Sequence, residues 1–107
     1  MNVHNELGKG FTEIVYKDAL EIEFNRNNIP FEREKEYSID YKGEILPHCF
    51  YADFVAYDKI ILEVKAVNKI SEEFLKQSLN YLSVSKIKLA LLINFGESSL
   101  VHKRIVL

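Results

Sequence analysis

Hydrophobic and polar residues change their period several times along the chain, and each change marks an element. Residues 11–26 carry apolar side chains at helical spacing. With Glu13 placed at the origin of a wheel of about 100° per residue, Tyr16, Leu20 and Phe24 fall within about 60° of it. Ile14, Val15, Ala19 and Ile22 widen the apolar surface, and Lys17, Asp18, Glu21 and Arg26 supply polar positions. Asn27-Asn28-Ile29-Pro30 stops this helix, because a proline drives the residue before it out of the helical region. From Phe31 to Tyr41 the period shortens to two, with Tyr37, Ile39 and Tyr41 in step, which predicts a strand with one wet face. Lys42-Gly43-Glu44 reads as a turn. Residues 49–57 and 60–67 follow as strands, with Asp58-Lys59 between them. Helical spacing returns over residues 71–83 through Phe74, Leu75, Leu79 and Leu82. Ser71 is placed to cap that helix, and Glu72 and Glu73 stand in its favourable first turn. Residues 87–95 make a strand that becomes nearly all apolar, Gly96 closes it, and residues 100–107 give a last short strand.

The order is helix, three strands, helix, strand, strand: an α/β pattern. The apolar runs at 60–67 and 89–93 read as central strands covered on both faces. A helix between them implies parallel pairing through a right-handed crossover. With 107 residues, a single domain over 1–107 is expected. No apolar run approaches the ~18 residues of a membrane span. Residues 1–6 lack the regions of a signal peptide. One cysteine, Cys49, excludes an internal disulfide. Among aromatics in a strand it reads as a buried structural thiol, and a reducing cytoplasm fits.

Charge adds a reservation about nucleic acid as a partner. The net charge is −2, whereas binders of nucleic acid usually carry a basic footprint. Residues 1–83 hold 10 basic and 15 acidic side chains, while residues 84–107 hold Lys86, Lys88, Lys103 and Arg104 against Glu97. A phosphate-facing patch is therefore expected to draw on the C-terminal segment.

Three carboxylates stand where a charge is costly. Strand alternation puts Ile61, Glu63, Lys65 and Val67 on one face of an otherwise apolar strand. A charge on a covered strand costs several kcal/mol unless it is paired or binds a metal. Asp53, between Ala52 and Phe54, poses the same problem in the preceding strand, and Glu13 poses it on the apolar stripe of the first helix. Glu63 and Lys65 could simply neutralise each other. Alternatively, an acid in one strand followed by Glu-x-Lys in the next builds a Mg²⁺ site, with Mn²⁺ as the alternative ion, because magnesium takes hard oxygen ligands and retains waters. A lysine beside the metal offsets phosphate charge or positions a water. The site requires Asp53 to face Glu63. That register gives a three-residue Tyr57-Asp58-Lys59 loop, whereas a two-residue turn sets Asp53 against Val64. The second helix adds Gln77 and Tyr81 one turn apart. Gln77 is either a solvated helix residue or a donor toward phosphate, water or Lys65. His48 and His102 lack metal-ligand spacing.

These residues fall in a familiar order. Gly10-Phe11-Thr12-Glu13-Ile14-Val15-Tyr16 is similar to the motif that names the GxxExxY proteins. Ile29-Pro30-Phe31-Glu32, Tyr41-Lys42-Gly43, Ala52-Asp53, Glu63-Val64-Lys65-Ala66, Gln77 with Asn80-Tyr81-Leu82, Leu91 to Gly96, and Lys103 to Val106 resemble that family in sequence. The resemblance covers essentially the whole chain. It implies the restriction-endonuclease-type core of the PD-(D/E)XK nuclease superfamily, a mixed central sheet flanked by helices. It implies Asp53 and Glu63 as metal ligands, Lys65 as the catalytic lysine, Glu13 as the acid from the first helix and Gln77 as the polar residue from the second. Ala52 departs from the proline of the superfamily name. The implied activity is Mg²⁺-dependent hydrolysis of DNA or RNA. A binding or regulatory module retaining the fold is the alternative, and a homodimer or a partner protein would supply substrate grip.

Overall fold

A computed structural model describes residues 2–107, and Met1 lies outside the described residues. The elements are α1 (Asn2–Leu7), α2 (Glu13–Arg26), β1 (Phe31–Tyr41), β2 (Glu44–Ala56), β3 (Ile60–Lys65), α3 (Glu72–Ser85), β4 (Leu89–Asn94) and β5 (Val101–Val106). The order read from periodicity holds, with the short α1 added in front. The five strands form one sheet in the order β1-β2-β3-β4-β5. β3 and β4 run parallel, as the intervening helix requires, and the other neighbouring pairs are antiparallel.

Local chemistry sets the element ends. Ser71 caps α3, its hydroxyl accepting the Phe74 N–H at 3.3 Å. Lys42 and Gly43, both at positive φ, make the two-residue turn between β1 and β2, and the Asp40 carboxylate accepts the Gly43 N–H at 2.8 Å. β2 therefore begins at Glu44, well before the strand expected from residue 49. Its first six residues are exposed, so they show no buried face to read. This also corrects the reading of Cys49, which is exposed. It pairs with Ser38, one residue short of Phe50, where burial begins.

Two apolar layers flank the sheet. Val3, Tyr16, Leu20 and Phe24 of α1 and α2 pack on Phe54, Leu62, Val64, Ile93 and Phe95. On the other face Leu82 and Phe74 of α3 pack on Ala52, Ile61, Ala90, Leu92 and Ile105. Glu63 shares the face of Ile61 by alternation, toward α3. Tyr16 anchors the start of α2. Its ring stacks on Phe95 with centroids 4.5 Å apart, and its hydroxyl donates to the Gly8 carbonyl at 2.6 Å and accepts the Phe11 N–H at 3.2 Å. Gly10, at φ 115°, occupies a conformation that side-chain-bearing residues rarely adopt. Glu13 does not share the burial of Tyr16, Leu20 and Phe24. It is the first residue of α2 and is exposed, because the core ends below it. No helix among the described residues is long and apolar enough to cross a membrane.

Candidate functional site

β2 and β3 pair over three rungs beside their loop: Ala56 with Ile60, Val55 with Ile61 and Phe54 with Leu62. Tyr57-Asp58-Lys59 closes the hairpin as a three-residue loop. The Lys59 N–H donates to the Ala56 carbonyl at 3.0 Å, and Tyr57 and Asp58 lie at φ 56° and 55°. This is the register that sets Asp53 toward Glu63 and excludes the two-residue turn. Past Phe54 the rungs stop. Asp53 Oδ2 accepts the Val64 N–H at 2.7 Å, so a carboxylate stands where a strand carbonyl would otherwise accept, and the strands part around it.

Glu63 is only 6% exposed, and its Oε1 is buried without a hydrogen-bond partner. Burial pushes its carboxyl up to about 9; the charge and hydrogen bond of Asp53 add to this, and the Lys65 ammonium opposes it. Such a carboxyl keeps its proton, and is neutral, until a cation reaches it. Lys65 ends β3. Its carbonyl accepts the Phe95 N–H at 2.8 Å, and its Nζ lies 4.5 Å from the centroid of the Phe74 ring on α3. Among the described residues Lys65 makes no ion pair with Glu63, so the two do not simply cancel.

The two helix-borne candidates stand differently. Gln77 is exposed on α3. Burial pushes the neighbouring Tyr81 hydroxyl above the ordinary tyrosine range, Glu63 and Asp53 push it further, and a hydrogen bond from Gln77 opposes them. Gln77 thus stands one helical turn before a tyrosine that feels both carboxylates. Glu13 forms no metal-holding cluster with Asp53 and Glu63; no three such ligand side chains converge among the described residues. It stands one helical turn before Lys17, whose ammonium does reach Asp53.

The donor set suits a small hard cation. Two carboxylates of neighbouring strands approach each other, one oxygen of Glu63 is unpartnered, and a lysine follows two residues on. A family model described as the PD-(D/E)XK nuclease superfamily matches residues 1–105. The chain belongs to the PD-(D/E)XK nuclease superfamily. The crystal structure of SSO0001 shares the PD-(D/E)XK-like fold seen here, with a TM-score of 0.67 at 18% sequence identity over 88% of this chain. The match covers 50% of that chain, so this protein spans about half the length of SSO0001. No curated protein sequence matches this one.

Two supports of this candidate site leave no mark in the sequence. Lys17 of α2 reads as an ordinary polar helix position. Its side chain is 13% exposed, and its Nζ lies 3.1 Å from Asp53 Oδ1 and pairs with the Glu34 carboxylate. Burial pulls the Lys17 pKa down, but the hydrogen bonds and charges of Glu34 and Asp53 outweigh it and hold the ammonium above the ordinary lysine value. Asn94, fully buried in β4 beside Lys65, accepts the Val67 N–H at 3.0 Å and donates to the Val67 carbonyl at 2.9 Å. It also accepts the Gly96 N–H and donates to Glu97. It thereby fixes the chain leaving Lys65. A β-carbon on Gly96 would press on the Val67 backbone, so glycine permits this close approach. An open cleft of about 580 Å³ lies next to this loop, lined by Lys69, Ser71, Glu72, Glu97 and Lys103 among others, and none of Asp53, Glu63 or Lys65 lines it.

Proposed function

We propose that the chain is a metal-dependent nuclease hydrolysing phosphodiester bonds of DNA or RNA. The unpartnered, buried Glu63 Oε1 beside Asp53 carries this reading, because it suits a cation in a chain that belongs to this nuclease superfamily. Asp53 and Glu63 would hold Mg²⁺ or Mn²⁺, which when bound supplies Lewis-acid stabilisation of the phosphate. Lys65, two residues on along the same strand face, orients or helps deprotonate the attacking water and offsets phosphate charge. Glu13, exposed at the start of α2, is the acid that meets substrate or solvent at the rim, and Gln77 steadies Tyr81 on the opposite flank. Within the superfamily we read the chain as a GxxExxY protein, through Gly10, Glu13 and Tyr16. A single exposed thiol fits a reducing, cytoplasmic setting.

Single- and double-stranded DNA and RNA incubated with Mg²⁺ or Mn²⁺ test the proposal. Cleavage is expected to fall by roughly a thousandfold or more in Asp53→Ala and in Lys65→Ala. Activity that persists in both variants would assign it to a contaminant. The second reading is a binding module that keeps the fold without turnover, favoured by the resident Lys17 ammonium on Asp53. Calorimetry in which wild type and Asp53→Asn take up no metal supports that reading instead.

A further inference from the structure

Both oxygens of the Asp53 carboxylate are engaged. Val64 N–H takes Oδ2 of that carboxylate, and Lys17 Nζ takes Oδ1 at 3.1 Å. The second partner of Lys17, Glu34, is brought to it by an unusual backbone. Glu34 lies opposite Asp53 between the rungs Arg33–Phe54 and Lys35–Ala52, and it adopts φ 53°, a left-handed conformation uncommon for a residue with a side chain. Consecutive residues of a regular strand point to opposite faces. Here Arg33 and Glu34 both reach α2: Arg33 Nη1 lies 2.8 Å from Asp18 Oδ1, and Glu34 pairs with Lys17. On β2 the same point is where the strand changes layers, with Ala52 packed on the α3 side and Phe54 on the α2 side. A strained backbone held by its surroundings at a site is a reason to look for function there.

We propose that Lys17 is a resident counter-cation of Asp53 that a divalent metal displaces, and that Glu34 receives the displaced ammonium. The inference rests on the reading of Asp53 and Glu63 as metal ligands. In the metal-free state Lys17 neutralises Asp53, so the fold does not depend on metal to tolerate that carboxylate. When a cation takes Oδ1, the two positive charges repel at close range, and Lys17 shifts onto Glu34, which it already touches and whose side chain is half exposed and free to follow. Metal affinity is thereby lowered, and a positive charge stays beside the site. Lys17 is a positioning residue in this scheme; the metal and Asp53 are what it acts through.

Titration calorimetry of Mn²⁺ into metal-free protein, paired with thermal melts, separates the possibilities. Lys17→Met is expected to bind Mn²⁺ about tenfold more tightly than wild type, because the competing charge is gone. Its metal-free form melts lower, and added Mn²⁺ raises its melting temperature more than it raises that of wild type. Glu34→Gln, a change at a half-exposed side chain that leaves folding intact, is expected to weaken Mn²⁺ binding severalfold, because the displaced ammonium loses its acceptor. Equal affinity in wild type, Lys17→Met and Glu34→Gln overturns the competition while leaving the metal site standing. Absence of Mn²⁺ binding in wild type and in Lys17→Met overturns both. Should Lys17→Met not fold, Glu34→Gln binding as tightly as wild type suffices to reject the proposal.

Discussion

At the scale of single residues, Glu63 makes the sharpest claim. Its folded pKa of about 9 lies above its ordinary value of 4.5. The folded state therefore keeps a proton that the unfolded chain releases. The favourable contribution is complete below the ordinary value and is lost as pH rises toward the folded one. In chelator, the melting temperature is expected to fall steadily between about pH 5 and pH 9, by an amount on the order of a few kcal/mol in stability. Glu63→Gln is expected to flatten that slope and to melt above wild type at pH 9. A wild-type curve level across that window would remove the claim. Asp53, Glu63 and Lys65 were legible in sequence because strand alternation assigns their charges to a covered sheet. Lys17 and Glu34 were not. Each is an ordinary polar residue at a position that tolerates one, and a left-handed kink at a glutamate leaves no compositional mark of the kind a glycine would.

At the scale of elements, the chain leaving β3 is held by one side chain. Asn94 satisfies both backbone groups of Val67 and the Gly96 N–H from inside the core. Asn94→Ala leaves these without their side-chain partner and is expected to destabilise the protein by roughly 2–4 kcal/mol, measured by denaturant unfolding. Cleavage is expected to fall in parallel, because Lys65 loses the rigid segment that follows it. Ser71→Ala, which removes only the cap of α3, is expected to cost about 1 kcal/mol and leave cleavage nearly unchanged, a control for simple loss of stability. The parallel β3–β4 pair and its crossover helix were readable from two apolar runs around a helical period. The early start of β2 was not, because Glu44 to Cys49 are all exposed and show no buried face. Glu13 misled in the opposite sense: wheel position says which way a residue faces, but not whether the core extends that far along the helix.

At the scale of the whole molecule, charge and site are poorly aligned. β3 and β4 run together from Ile60 and Leu89 to Lys65 and Asn94, so Lys88 lies at the end away from Lys65, while Lys103 lines the cleft beside the loop after β3. Few cations therefore face a substrate at the site, and binding of a 20-base-pair DNA is expected to be weak, with a salt slope corresponding to only about two or three phosphates. A steeper slope in a filter-binding titration would show a basic surface assembled some other way, for which sedimentation at the same concentrations would test a dimer. The Tyr57-Asp58-Lys59 loop has a consequence of another kind. Loop tips are ordinarily where proteins accept gained or lost residues. Here the tip works as a gauge block between two strands, and shortening it by one residue brings every side chain of one strand to the wrong side of the other. A chain lacking Asp58 keeps Asp53, Glu63 and Lys65 in the same order, passes any reading of its motifs, and is expected to turn Asp53 away from Glu63. Among descendants of this sequence, length at that rim should drift less than identity at most positions in the core.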